Sequence, residues 1–322
     1  MLVLGLHGSP RRKGNTHFLL TTFLEEAARL GARTHMVEVV RMNIVPCKEL
    51  VVCEKKGYCP IDDDMNTIFS RLREAEVIVA ASPVFFYNVT AQLKALIDRC
   101  QTLWARKYRL KLADPARKLR RGVLLAAGAT RGPNLFEGLK LTAQYFFDAV
   151  DAKFEASLTY RGMEGPKDMA AHPGVREEVR ETVRRVLQPL TVRKRILFLG
   201  RENACRSQMA AAFTQIHAGD KLDVIGAGIE PAGRVNSIMT AAMQEKGIDM
   251  AFRNPKSVGT EIDTDPPHWL VTLGVDQAHP SPPGTERIDW TLSDAPVDSI
   301  EAMRAVRDDI EKKVKDLIDR IV

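Results

Sequence analysis

No stretch of the 322 residues is apolar for long enough to span a bilayer, because the longest runs, such as Ala75 to Asn88, are interrupted. Secretory order is lacking too: in MLVLGLHGSPRRKGNT the basic residues follow the apolar stretch, the reverse of a secretory signal, so a cytoplasmic chain is expected. Low-complexity tracts and short-period repeats are absent, which leaves disorder without compositional support. Cysteine is sparse and odd in number, with Cys47, Cys53, Cys59, Cys100 and Cys205, a set that fits a reduced compartment better than a disulfide framework. What remains is ordinary folded protein, 45% hydrophobic and 27% charged. The length suggests two domains, each able to bury its own core. The net charge of +6 divides unevenly, with residues 1–192 carrying +9 and residues 193–322 carrying −3, the asymmetry expected of two fused domains.

Strand and helix signals alternate through the first part. Apolar runs at Leu2 to His7, Thr34 to Val40, Glu76 to Ala81, Gly122 to Ala127 and Lys153 to Thr159 predict strands. Helical periodicity runs over Thr16 to Leu30, Thr90 to Arg99 and Phe136 to Val150. Strands apolar on both faces and alternating with helices predict a parallel sheet covered on both sides. After a charged amphipathic helix from Gly174 to Leu187, ending near Pro189, the alternation restarts. Strands are expected at Arg195 to Leu199, Leu222 to Ala227 and Trp269 to Leu273, with helices from Ser207, over Val235 to Lys246 and over Val297 to Ile321. The expected boundary therefore separates domains 1–192 and 193–322.

The first strand runs into Gly8-Ser9-Pro10-Arg11-Arg12-Lys13-Gly14-Asn15-Thr16. A small-residue loop between a parallel strand and a helix start can offer N–H groups and a positive dipole end to a phosphate. A capped helix start in a basic loop is the other reading. Later, Ser82-Pro83-Val84-Phe85-Phe86-Tyr87-Asn88 follows a strand and could support a planar ring, unless its aromatics are core. These segments, with Ala127-Gly128-Ala129-Thr130 after the next strand, resemble the NADPH-dependent FMN reductase family and its iron–sulfur flavoprotein relatives over roughly residues 1–190.

The resemblance implies a flavodoxin-like doubly wound sheet, bound FMN, NAD(P)H as electron donor and a homo-oligomer. It places Ser9, Arg11, Asn15 and Thr16 at the FMN phosphate, Ser82, Pro83, Val84, Phe85 and Asn88 at the ring, and Gly128 and Thr130 in a third loop. The chemistry would reside in the flavin, so no catalytic side chain is named. Iron–sulfur relatives place cysteines at Cys-x-x-Cys-x-x-Cys followed by a fourth. Here Cys47, Cys53 and Cys59 remain, and Leu50 stands where another is expected, so a cluster is not expected and these thiols are the weak metal candidates. Asp62, Asp63 and Asp64 read as an acidic helix start rather than a metal site. The basic stretch Arg106 to Arg121 lacks a nucleic-acid-reading motif and reads as a solvated loop near the flavin edge that could meet NADPH phosphates.

A second strand-to-helix loop, Gly200-Arg201-Glu202-Asn203-Ala204-Cys205-Arg206-Ser207, is followed by Gly226-Ala227-Gly228. These resemble the low-molecular-weight phosphotyrosine phosphatase and arsenate reductase family over residues 193–322, implying a second, smaller parallel α/β domain. Gly200, Asn203, Cys205, Arg206 and Ser207 would then surround a phosphate, sulfate or arsenate. The family's nucleophilic cysteine, six positions before the arginine, is Gly200 here. Asp294 matches the general acid, with Ala295 in place of the usual proline, while Gly274 and His279 occur where relay cysteines could lie. A thiolate mechanism without its thiolate is excluded. The loop could still bind an oxyanion, or the domain could be scaffold. In a third reading Cys205, its pKa lowered by Arg206, takes a redox role. The expected function is an FMN-dependent NAD(P)H oxidoreductase acting on a quinone, flavin or other small acceptor, fused to a degenerate phosphatase-like domain. The alternatives are an oxyanion or redox sensor, or an arsenate-related reductase drawing on flavin electrons.

Overall fold

The computed structural model describes residues 1–259, 266–274, 281–291 and 298–322. The chain divides into two compact units, one of residues 1–111 and 117–191, the other of 112–116 and 192–322.

The first unit is a parallel five-stranded sheet in the order β2-β1-β3-β4-β5, with β1 Leu2–His7, β2 Arg33–Glu38, β3 Val77–Pro83, β4 Arg121–Gly128 and β5 Lys153–Arg161. Its central strands β1, β3 and β4 are buried almost throughout, as runs apolar on both faces require. Helix α1 (Asn15–Arg29) lays Leu19, Leu20, Phe23, Leu24 and Ala27 at helical spacing onto one face. Short α2 (Val52–Lys56), then α3 (Met65–Glu74), α4 (Ala91–Arg99), α5 (Gln101–Tyr108), α6 (Glu137–Ala149), α7 (Asp168–Ala171) and α8 (Val175–Thr191) follow. Helix α8 continues two residues past Pro189, where the periodicity predicted an end. From β1 the chain goes outward to β2 and then back across to β3. This reversal opens a crevice beyond the carboxyl ends of β1 and β3.

The second unit repeats the logic with four parallel strands in the order β7-β6-β8-β9, namely β6 Lys194–Gly200, β7 Leu222–Gly228, β8 Trp269–Leu273 and β9 Glu286–Trp290. Helices α9 (Arg206–Ala218), α10 (Ser237–Gln244) and α11 (Ile300–Ile321) cover it. Its core gathers Phe198, Met209, Phe213, Met243, Val271 and Ile310. The reversal now falls between β6 and β8, at the end of β6. Within this unit the Ala113 N–H donates to Gly247 O (2.8 Å), and Ala113 O accepts from the Asp249 N–H (2.9 Å). Among the described residues no helix is long and apolar enough to cross a membrane.

Candidate functional site

At the crevice of the first unit, the loop after β1 and the start of α4 approach closely. A Cβ on Gly8 would lie 2.8 Å from Leu93, so no larger residue fits without movement. Thr90 caps α4 by accepting from the Leu93 N–H (3.5 Å), and its hydroxyl donates to Gly8 O (2.6 Å). Gly14 precedes α1 with no side-chain cap, and its carbonyl takes the first intrahelical bond, from the Phe18 N–H (3.0 Å). The first-turn N–H groups thus have no intrahelical partner and face the dipole's positive end. The capped-helix reading of this loop is not realised. Arg11 is exposed and Thr16 buried, and Ser9 Oγ accepts from the Arg11 N–H (3.2 Å), bending the loop.

The side chains of Asn15 and Ser82, expected at the cofactor, are engaged elsewhere. Asn15 donates to Gly165 O (2.8 Å) and accepts from the Met169 N–H (3.0 Å), bracing the segment before α7. Ser82 Oγ donates to Pro83 O (2.8 Å) and accepts from the Thr90 N–H (3.2 Å). Each has its polar atoms committed to backbone, so each shapes the crevice wall.

The aromatic segment is a tight turn. The Phe85 N–H donates to Asn88 O (2.8 Å) and the Asn88 N–H to Phe85 O (3.0 Å), while Phe86 (φ 47°) and Tyr87 (φ 61°) both take left-handed backbone. That pairing is the type I′ geometry that asparagine and glycine favour, and each non-glycine residue there costs about 1–2 kcal/mol. Two contacts hold the strain. Asn88 Oδ1 accepts from the Val89 N–H (2.8 Å) and the Thr142 hydroxyl (3.0 Å). Tyr87 O settles on Gly138, where a Cβ would come within 2.3 Å. Phe85, Phe86 and Tyr87 are all exposed, Phe86 completely, so they are not core. The third loop begins at Gly128, where a Cβ would meet Leu135 at 2.8 Å and Val84 at 3.0 Å, and Thr130 beyond it is exposed. Adjacent strands therefore bring Ser9, Arg11 and Thr16, then Pro83, Val84, Phe85 and Asn88, then Gly128 and Thr130, to one edge.

His7, Thr90, Gly138 and Thr142 escaped the sequence reading. Only Thr90, the hydroxyl residue before a helical pattern, carried a local signal. His7 ends β1 fully buried, with no partner on Nε2 among the described residues and an edge-on contact to the His17 ring at 5.4 Å. Burial, and then His17, push its pKa down to about 4, so it is neutral at pH 7.

The basic stretch is only in part the solvated loop expected. Arg106 and Arg120 are buried. Arg120 donates to Ala75 O, Val150 O and Arg73 O, Arg106 donates to Gly57 O, and Lys107 pairs with Asp148 and Asp151. Arg121 begins β4, at the opposite end of the sheet from the crevice. Backbone carbonyls and carboxylates take up the charge of Arg106, Lys107 and Arg120, while Arg109, Lys111, Arg117 and Lys118 remain exposed.

Cys47, Cys53 and Cys59 line one cavity of about 440 Å³ together with Leu50 and Arg99. Leu50 stands where the resemblance expects the motif's second cysteine, so three thiols remain and the donor set does not fit a four-thiolate cluster. The aspartate run clamps this loop. Asp63 accepts from Arg99 (2.6 and 3.2 Å) and from the Val45 and Met65 N–H groups (2.9 and 3.0 Å), and Asp64 accepts from the Asn43 N–H (2.7 Å).

In the second unit the loop after β6 has every carbonyl from Gly200 to Ala204 engaged. Gly200 O, Arg201 O, Glu202 O and Ala204 O accept from the N–H groups of Ile229, Glu230, Ala232 and Asn236 at 2.8–3.2 Å, and Asn203 O accepts from Gln208 (3.1 Å). No hydrogen bond among the described residues uses the N–H groups of Arg201 to Cys205, which leaves a concave set of donors at the start of α9. Asn203, buried at φ 50°, donates to Ser207 Oγ (2.9 Å) and accepts from Gln208 (3.0 Å) and the Lys256 N–H (2.9 Å). Asn203 and Ser207 therefore act as braces. Gly228 lies beneath, where a Cβ would stand 2.8 Å from Arg201 O and the Asn203 N. At Gly200 a Cβ would sit 3.1 Å from Ser207 Oγ, in tight but feasible contact.

Cys205 overturns one expectation. Burial pushes its thiol up to about 11 despite the opposing charge of Arg206, and its sulfur lies 3.5 Å from that of Met303. It is a protonated, inert thiol at pH 7. Gly274 is left-handed (φ 68°) and faces the Arg206 guanidinium, whereas His279, Asp294 and Ala295 lie outside the described residues.

Comparison with known proteins matches a different family to each part of the chain. The family described as NADPH-dependent FMN reductase matches residues 1–133, and that of low molecular weight phosphotyrosine protein phosphatase matches residues 195–322. An iron-sulfur flavoprotein of Methanocaldococcus jannaschii is 40% identical over 103 residues, 32% of this chain and 53% of that protein. A second from the same organism is 32% identical over 147 residues, 45% of this chain and 71% of that protein. Arsenate reductase 1 of Bacillus cereus is 35% identical over 126 residues, 38% of this chain and 92% of that protein. The chain spans about half the length of the first of these relatives.

Proposed function

The chain belongs over its first part to the NADPH-dependent FMN reductase family and over its second to the low molecular weight phosphotyrosine protein phosphatase family, and we propose that it is an FMN-dependent NAD(P)H oxidoreductase fused to an oxyanion-binding domain that has lost covalent catalysis. Domains 1–192 and 193–322 carry the two roles.

The observation supporting the flavin reading is the crevice itself, where an uncapped helix start and an exposed, strained aromatic turn meet at the reversal of strand order. The first-turn N–H groups of α1, with Ser9, Arg11 and Thr16, hold the FMN phosphate. Pro83, Val84, Phe85 and Asn88 line the ring, and Gly128 with Thr130 forms the third wall. When bound, FMN supplies the electron-accepting centre, so the chain's residues bind, orient and exclude water rather than donate a proton. Neutral His7 beneath the phosphate loop adds no charge that would compete with Arg11. The acceptor is a quinone, free flavin or another small molecule, and the working form is a cytoplasmic homo-oligomer. Purified protein should be yellow and hold about one FMN per chain while oxidising NADH or NADPH; colourless protein that FMN cannot reconstitute rejects the reading.

The oxyanion reading is supported by the outward-turned carbonyls of residues 200–204, which leave the loop's N–H donors to an anion. Phosphate, sulfate and arsenate are the candidates, held by those donors and Arg206. Intact donors without a nucleophile favour a sensing role, in which the anion alters the flavin domain. Calorimetry should show heats of anion binding that vanish in Arg206→Ala, and silent wild-type protein removes this half of the proposal.

A further inference from the structure

Helix α1 buries Leu19, Leu20 and Phe23 in the core of the first unit, and a second side of it carries a different pattern. Lys13, just before the helix, is followed at intervals of four by His17, Thr21 and Glu25, so the four share one row. All four line a cavity of about 300 Å³. Its facing wall comes from far along the chain, with Pro166 and Lys167 before α7 and Arg176 in the first turn of α8. That wall is pinned. Asn15 donates to Gly165 O (2.8 Å) and accepts from the Met169 N–H (3.0 Å), and Asp168 accepts from the Gly165 N–H (2.7 Å). Of the loop after β1 the cavity includes only Lys13 and Gly14, and of the aromatic turn nothing.

Its charge is one-sided. Lys13, Lys167 and Arg176 arrive from three separate segments, and none forms an ion pair with a carboxylate among the described residues. Arg180, one turn further along α8, shows the contrast, because Glu26 and Glu177 neutralise it while Arg176 rests only on the Phe18 ring, 4.9 Å away. Three cations around one concavity repel each other and draw in an anion. The rest of the row is suited to hydroxyl groups. The His17 ring and the Thr21 hydroxyl stand 3.4 Å apart at Nδ1, and Glu25 adds a carboxylate that accepts but repels phosphate. The volume lies at the lower end of the range for small-molecule sites, about 300–1,000 Å³.

We propose that this cavity between α1, α7 and α8 binds a small sugar phosphate. Lys13, Lys167 and Arg176 hold its phosphate, and His17, Thr21 and Glu25 take its hydroxyls. The site is separate from the flavin crevice and needs no change of covalent bonds.

The test treats full-length protein, loaded with FMN and freed of excess, with an amine-acylating reagent, with and without ribose 5-phosphate, and reads each lysine by peptide mass spectrometry. Lys13 and Lys167 should be labelled about tenfold more slowly once the sugar phosphate stands at roughly ten times its Kd, while exposed Lys118 is unaffected. Because the readout is local, an anion at Arg206 does not register. Arg176→Gln, checked for native circular dichroism and FMN content, should need about tenfold more ribose 5-phosphate for the same protection. Glu25→Gln should weaken ribose 5-phosphate and leave the response to inorganic phosphate unchanged. No protection by about 10 mM ribose 5-phosphate, well above the usual metabolite range, overturns the assignment. So does equal protection by inorganic phosphate, or protection that Arg176→Gln leaves intact. If FMN added to the apoprotein protects Lys167 as strongly, the cavity belongs to the flavin site and the assignment falls. Flavin content is measured independently, so failure of the flavin reading stays distinguishable from failure of this one.

Discussion

The loops after β1 and β6 solve the same problem differently. Each joins the first strand of a parallel sheet to a helix at the reversal of strand order. The loop after β1 leaves the helix start uncapped, keeps Arg11 outside and faces an exposed aromatic turn. The loop after β6 also enters its helix without a side-chain cap but ties down each carbonyl from Gly200 to Ala204. The difference teaches that one topological position can carry loops of unlike hydrogen bonding, which under the proposed function separates a cofactor phosphate from a free oxyanion.

The sharpest way to break that comparison is Gly200→Cys. If the braced loop is a catalytic cradle missing only its sulfur, the new thiol beside Ser207 should yield a covalent phosphoenzyme with an aryl phosphate, detected by mass spectrometry, where wild type yields none. Next in size, Arg206→Ala should weaken anion binding by about 100-fold, close to 3 kcal/mol, as loss of a charge-assisted bidentate contact requires. Arg11→Ala, at an exposed loop, should cost FMN much less by the same calorimetric measure.

The pH dependence separates the units further. The folded-state pKa of His7 lies below its ordinary 6.5, at about 4. Its stabilising effect is complete above pH 6.5 and is lost as pH falls towards 4, because the unfolded chain takes up the proton first. The first unit should therefore lose about 2–3 kcal/mol over that window in denaturant titrations, and His7→Asn should flatten the slope. The smallest effect is expected at the turn. Phe86→Gly removes a left-handed phenylalanine that buries nothing and should stabilise the protein by about 1 kcal/mol in thermal unfolding. An unchanged melting temperature would mean the turn is not strained.

Much of the framework was legible in single residues and short patterns. Central strands such as Val77 to Ala81 are apolar on both faces because they are buried on both faces, and Gly8 and Gly200 mark where a strand gives way to the loop before a helix. Strand β9, Glu286–Trp290, escaped because it is short, polar and at an edge, so one face never needed apolar residues. The short helices α2 and α5 lacked a long period to reveal them.

Sequence alone determined the two α/β units, because periodicity is a local property, and the family resemblances pointed to the residues that stand at Gly200 and Leu50 in place of cysteines. Tertiary structure decided what each side chain does there. Asn15 and Ser82 brace backbone, Arg106 and Arg120 turn inward, Phe86 turns outward, and Cys205 stays protonated beside Met303. Partner, burial and charge environment come from segments distant in the chain, and only folding brings them together.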